Sequence, residues 1–186
     1  MQTQFKPFSE TTDPQVQKFV LQWGEYLAFQ RRLSPKTVAS YQEDLKEFFT
    51  FLNQSLNKRI TSSDLKELKI TDFRSFLAWR HQFHIQASSM ARGVSSLKNF
   101  FKYLMRQDVV KNTAIMSVRS ARPKRLLPHP LSEDQARLFL KVAGQINKKH
   151  WAGERDKALF TLLYGCGLRI SEALALNVAD VAPIPD

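Results

Sequence analysis

The stretch that most restricts the fold is Gln86 to Gln107, where apolar side chains recur three and four residues apart at Ala87, Met90, Val94, Leu97, Phe101 and Leu104. That period builds one long amphipathic helix and demands neighbours to cover its apolar side. The opposite side carries Arg92, Ser95, Ser96, Asn99, Lys102 and Arg106, with no acid among them. Solvated helix faces usually mix both signs of charge. A face of cations, amides and hydroxyls without carboxylates suits the major groove of duplex DNA, where such groups meet phosphates and base edges.

Three further helical segments supply the cover. Asp13 is placed to cap a helix that has Pro14 at its first position. Val16, Phe19, Val20, Trp23, Tyr26, Leu27 and Gln30 follow helical spacing there, which assigns Trp23 to the core. Ser34 and Pro35 repeat the same start signal. Val38, Tyr41, Leu45, Phe48 and Leu52 then share one face, leaving Lys36, Thr37, Ser40 and Gln42 outside near the helix N-terminus. Free amides and the helix dipole favour anions at such a position, although an ordinary solvated helix start has the same residues. Asn53 to Thr61 reads as a loop and Ser62 to Leu68 as a short turn or helix. Thr71 is the expected cap of a helix carrying Phe73, Phe76, Leu77 and Arg80. Residues 1–12, polar and without period, read as a flexible lead, so the first domain is expected over 13–117.

A boundary follows. Val118 to Pro130 has three prolines, the basic residues Arg119, Arg122, Lys124 and Arg125, and no acid. Proline keeps such a segment extended while its charges track phosphates, which makes it a basic linker. A second domain is expected over 131–186. Ser132 caps a helix to about Ala143, with Leu138, Phe139 and Val142 facing inward, and Gln145 to Gly153 reads as a polar loop. A helix over Asp156 to Tyr164 leads to Gly165 and Gly167, both suited to a positive φ at a helix exit. The next helix has Leu168, Ile170, Ala173, Leu174 and Leu176 on its apolar side and Arg169 in its first turn. A cation there opposes the macrodipole and sits among apolar neighbours, so it calls for an anion, whether Glu172 or a ligand. Asn177 to Val181 is where a strand is expected to begin.

The formal charge is +11 over 186 residues, and it is spread along the chain. Residues 13–118 hold 16 Lys and Arg against 9 Asp and Glu, and residues 119–186 hold 11 against 7, so both parts are matched to a polyanion. Nucleic acid is the first candidate and an anionic membrane surface the second. No apolar run is long enough to span a bilayer and no signal peptide is present, which makes a cytoplasmic protein the expectation. Cys166 is the one cysteine and is expected to be a small residue packed at the helix turn. His81 and His84 lie three apart without a third ligand nearby, so no metal site is assigned.

The stretch Gly167 to Leu176, GLRISEALAL, closely fits the G-L-R-x-S-E-x-L-x-L box of the tyrosine recombinase (phage integrase) family, and the chain resembles its Xer-like branch over nearly its whole length. The resemblance implies a mainly α chain: a four-helix SAM-like core-binding domain, then the helical start of a truncated α+β catalytic domain. Asn112 to Ala114 stands where the family often has Asn-Pro-Ala. Family precedent makes Arg169 one of two arginines gripping the scissile phosphate, with Glu172 in support, and lays the second and fourth helices on duplex DNA. The implied chemistry is cofactor-free phosphoryl transfer through a 3′-phosphotyrosine, on DNA shared with other recombinase protomers. The family's β-hairpin lysine, His-x-x-Arg box and nucleophilic tyrosine have no counterpart here, and Tyr26, Tyr41, Tyr103 and Tyr164 sit on apolar helix faces. This chain alone is therefore expected to bind DNA without cutting it. A non-catalytic DNA-binding regulator and a helical protein-interaction module are the competing readings.

Overall fold

The structure is a computed structural model that describes residues 5–119, 130–146, 150–177 and 180. Its described residues are helical, in two compact units, Met1–Arg125 and Leu126–Asp186.

The first unit begins earlier than its composition suggests. Phe8–Thr11 forms a short helix, α1, and Thr12 pairs with Ile60 in a parallel bridge. Ile60 donates its N–H to Thr11 and Asp13 donates to Ile60, while Thr11 and Thr12 are fully buried. Residues 5–12 are thus docked and are no flexible lead. Backbone pairing and the Phe8–Phe49 edge contact at 6.0 Å hold them, and neither leaves a periodic signal in so short a segment.

Local chemistry starts the next two helices as expected. Asp13 Oδ1 accepts from Val16 N at 2.7 Å at the head of α2 (Pro14–Glu25), and Ser34 Oγ accepts from Thr37 N at the head of α3 (Pro35–Leu56). The chain continues past α2 in one wide turn, Tyr26–Gln30, closed by Arg31 N to Tyr26 O. Leu27 stays buried there, whereas Phe29 is 78% exposed. Helix α3 runs to Leu56 and stops at Asn57 with φ 49°, so the expected loop is shorter by the whole of Asn53 to Leu56. Thr61 and Asp64 cap α4 (Ser62–Glu67) reciprocally. Helix α5 (Ile70–His81) is capped from inside, by Asp72 accepting from Lys69 N at 2.7 Å, and Thr71 has no part in it.

Helix α6 (Ala87–Arg106) packs along α3. Val94, Leu97, Phe101 and Leu104 are buried as the spacing requires, joined by Gly93, Phe100 and Tyr103, while Ala87 is exposed and Met90 half-buried. The core is aromatic: Phe48 stacks on Phe73 at 5.6 Å and meets Phe76 edge-on at 5.1 Å, and Trp23 meets Phe100 edge-on at 5.3 Å. After α6 the chain folds back, burying Val110, Ile115 and Val118.

Asn112 fastens that return. Its Nδ2 donates to the carbonyls of Leu65 (2.9 Å), Lys66 (3.2 Å) and Leu68 (2.8 Å), ending α4, and its Oδ1 accepts from Ala114 N. Asn112→Ala strands these buried carbonyls, so chemical denaturation of the variant is expected to show a loss of about 2–3 kcal/mol. A loss below about 0.5 kcal/mol would mean that water replaces the side chain.

In the second unit, α7 (Glu133–Ile146) and α8 (His150–Gly165) pack through small residues. Ser132 and Gln135 cap α7 reciprocally. A Cβ on Gly153 would stand 2.2 Å from the Gly144 carbonyl oxygen, so the two backbones touch where a polar loop was expected. Ala136, Ala143 and Ala152 are buried in the seam. Leu138, Phe139 and Val142, expected inside, are 62%, 41% and 41% exposed. The seam is made of the small residues, and the larger ones stand beside it, where Phe139 meets Phe160 edge-on at 4.8 Å. Helix α9 (Ile170–Ala175) follows the turn at Gly165 to Arg169. Asn177 and Asp180 hydrogen-bond each other, and residues 178, 179 and 181 of the expected strand lie outside the described residues.

Candidate nucleic-acid interface

The acid-free side of α6 survives folding as a stripe, with one subtraction. Arg92, Ser95, Lys102 and Arg106 are exposed and Asn99 is half-buried. Ser96 is fully buried, and its hydroxyl donates to the Tyr41 carbonyl at 2.9 Å. At about 100° per residue, Ser96 lies roughly a quarter turn from the middle of the stripe, on the side where α3 packs. It belongs to the helix contact and is withdrawn from the set that can meet a ligand.

The remaining stripe is held from behind. Trp23 Nε1 donates to Asn99 Oδ1 at 2.9 Å, which fixes the amide and leaves Nδ2 unengaged among the described residues. Arg106 Nη1 donates to Tyr26 Oη at 2.7 Å. Hydrogen bonding from Arg31, with Arg106 adding to it against the opposing effect of burial, holds the Tyr26 phenol below its ordinary value. Arg92 makes the firmest link, with Nε 2.9 Å from Asp44 Oδ2 and Nη2 3.1 Å from Asp44 Oδ1.

Asp44 is fully buried, and it meets a second arginine from inside. Arg80, 1% exposed, places Nη2 3.1 Å from Asp44 Oδ1. Its Nε lies 2.8 Å from Glu47 Oε2 in ionic contact but out of line for a hydrogen bond, and among the described residues Glu47 Oε2 and Arg80 Nε and Nη1 have no hydrogen-bond partner. Burial pushes the Glu47 carboxyl up, against the pull of Arg80. Hydrophobic spacing gave no hint of Asp44 and Glu47, which fall on the same side of α3 as its apolar positions.

The start of α3 is only partly open. Lys36 is exposed, Thr37 and Ser40 are half-buried, and the Thr37 hydroxyl is hydrogen-bonded to Ser34 Oγ at 2.8 Å. Tyr41 lies opposite Ser96 and Asp44 opposite Arg92, so α3 and α6 run antiparallel, with the head of α3 toward the C-terminal half of the stripe. Of the basic linker, Val118 is buried in the first unit and accepts from Lys98 Nζ at 2.8 Å, and Arg119 is exposed. Arg122, Lys124 and Arg125 lie outside the described residues.

In the second unit Arg169 is not buried and not in the first turn. It is the N-cap residue of α9, with its side chain 82% exposed. Glu172 Oε2 accepts from Arg169 N at 2.8 Å and Oε1 from Nη1 at 2.8 Å, and the backbone bond first, then the guanidinium, holds the Glu172 carboxyl below its usual range. One carboxylate thus caps the helix and neutralises the cation that would oppose its dipole. Of Gly165 and Gly167, it is Gly167 that takes the positive φ, at 64°. Cys166, Ile170, Leu174 and Tyr164 are exposed, against the expectation of a packed turn and an apolar setting for that tyrosine. Among the described residues no group of His, Cys, Asp and Glu is arranged to hold a metal ion, and no helix is long and apolar enough to cross a membrane.

Residues 20–108 match the family described as phage integrase, N-terminal SAM-like domain. The tyrosine recombinase XerC of Rhodospirillum centenum is 39% identical over 168 residues, covering 90% of this chain and 49% of that protein. The tyrosine recombinases XerC of Rickettsia bellii and Rickettsia typhi are 37% and 40% identical over 165 and 166 residues, each covering 89% of this chain and 54% of the relative. The chain spans about half the length of the curated relatives it matches. The packed N-terminal helices agree with the matched domain, and over about nine tenths of its length the chain is similar to tyrosine recombinases of the Xer-like branch of the phage integrase family.

Proposed function

We propose that this chain is the DNA-gripping portion of a site-specific tyrosine recombinase. The stripe Arg92, Ser95, Asn99, Lys102 and Arg106 carries the reading, because it is basic, free of acids and backed by fixed partners. Such a surface pays little ordering entropy when it meets a duplex. The head of α3, with Lys36, Thr37 and Ser40, extends it, and the basic residues of 118–130, Arg119, Arg122, Lys124 and Arg125, continue along the phosphate backbone. Arg169, supported by Glu172, grips the scissile phosphate in the full-length enzyme, where a tyrosine oxygen attacks phosphorus, a 3′-phosphotyrosine forms and the 5′-hydroxyl leaves. Other recombinase protomers share that DNA, and the cytoplasm is where it is met.

Two readouts on this chain test the proposal. Duplex binding is expected to weaken steeply with added salt, and denaturing gels are expected to show no covalent protein–DNA adduct. Salt-insensitive or absent binding would favour a protein-interaction module. Adduct formation would place the nucleophile within these 186 residues. Arg169→Ala is expected to leave thermal stability within about 0.5 kcal/mol, because its ion pair with Glu172 is exposed. It is also expected to remove recombination when introduced into the full-length enzyme, whereas a non-catalytic regulator would tolerate it.

A further inference from the structure

Arg92 is exposed at 42% of its side-chain area, yet both Nε and Nη2 are bound by the two oxygens of a fully buried carboxylate. An arginine on a solvated helix face ordinarily samples many rotamers, and holding it still costs side-chain entropy. Here the fork-to-fork geometry with Asp44 fixes the plane of the guanidinium. Asp44 is itself braced, because Arg80 Nη2 meets the same Oδ1 from the core side at 3.1 Å. Gly93, next to Arg92, lets α6 close over this arrangement: a Cβ there would lie 1.8 Å from Arg80 Nη1 and 3.6 Å from Asp44 Oδ1. Two of the five guanidinium N–H donors of Arg92 are used on Asp44, which leaves three for a ligand.

We propose that Asp44, braced by the buried Arg80, is a positioning residue that holds the Arg92 guanidinium ready for a DNA phosphate or guanine edge. The proposal rests on the reading that α6 meets duplex DNA. Removing Asp44 then costs affinity through Arg92 alone, although Asp44 touches no DNA.

A double-mutant cycle on the whole chain tests it, with Asp44→Asn, Arg92→Ala and the pair. Affinity is read by anisotropy of a labelled duplex of roughly 30 base pairs, about three turns, at one fixed salt concentration. Each single substitution is expected to weaken binding roughly tenfold, and the pair no further than either. Asp44→Asn losing the same factor in the Arg92→Ala background would overturn the proposal, since it would then act on the fold alone. Arg92→Lys keeps the charge without the fork, and binding equal to the wild type would overturn it as well. If Asp44→Asn does not fold by circular dichroism, the Nε–H resonance of Arg92 in the unaltered protein carries the test. It is expected to be sharp in the free protein and to move on addition of duplex, and a resonance that stays put overturns the idea. Lys102→Ala with Arg106→Ala separates the two layers. If that pair weakens binding while the Arg92 arms show nothing, only the positioning role falls. If neither weakens binding, the DNA reading of α6 falls with it.

Discussion

Gly93→Ala is expected to destabilise the first unit by about 3 kcal/mol, against a helix-propensity gain of about 0.5–1 kcal/mol for the same exchange. The two effects differ in sign, so the outcome decides which governs. Gly93 lies inside α6 with ordinary helical geometry, and there propensity alone favours alanine. The added Cβ would stand 1.8 Å from Arg80 Nη1 and 3.1 Å from its Cζ. An arginine tip can usually swing aside, but this one is 1% exposed and carries the ion pairs to Asp44 and Glu47. Moving it separates buried charges that have no water to receive them, and overpacking adds its own cost. Urea denaturation followed by circular dichroism measures the difference. A variant as stable as the wild type or more so would show that Arg80 repacks freely, and with it that the buried cluster is loosely held. Arg80→Met in the Gly93→Ala background is expected not to recover the loss, because it relieves the clash but leaves Glu47 without its arginine and Asp44 with Arg92 alone.

What sequence reading reached and what it missed follow one physical division. Signals within a turn or two of the chain were legible: Asp13 with Pro14, Ser34 with Pro35 and Ser132 before α7 each start a helix as read. So was the long period of α6, since most of its core positions depend only on helix geometry. Partners distant in sequence were not. Asp44 and Arg80 are 36 residues apart, Trp23 and Asn99 are 76 apart, and nothing local tells a buried Asp44 from a solvated one. Ser96 was misplaced for the same reason, because a hydroxyl at the edge of a helix face is assigned by the neighbouring helix and not by its own. Arg169 shows the limit from the other side. Its box was recognisable residue by residue, yet apolar neighbours in sequence did not bury it, because Ile170 and Leu174 are themselves 61% and 68% exposed. Residues 5–12 escaped because their attachment is a bridge to Ile60 and two aromatic contacts, Phe5 with Trp79 and Phe8 with Phe49.

The largest effect on binding is expected from removing three exposed cations of α3 and α6 together. Lys36→Ala, Lys102→Ala and Arg106→Ala delete three exposed charges on the two helices that the DNA reading brings to the duplex. Each phosphate contact contributes about 0.9 to the slope of log affinity against log salt, so the triple variant is expected to flatten that slope by about 2.7. At low salt this amounts to a loss of roughly a hundredfold to a thousandfold in affinity. Stability should hardly change. Lys36 and Lys102 make no ion pair among the described residues, and Arg106 gives up one exposed hydrogen bond to Tyr26, worth about 1 kcal/mol at most. A melting curve separates the two quantities, since lost affinity in a fully folded variant can only come from the surface. An unchanged slope would mean that these cations face solvent in the complex, and the net charge of +11 would then have to act elsewhere on the chain. Partial flattening, by about 1, would assign contact to one helix only, and single restorations of Lys36 and Lys102 would show which helix lies on the backbone.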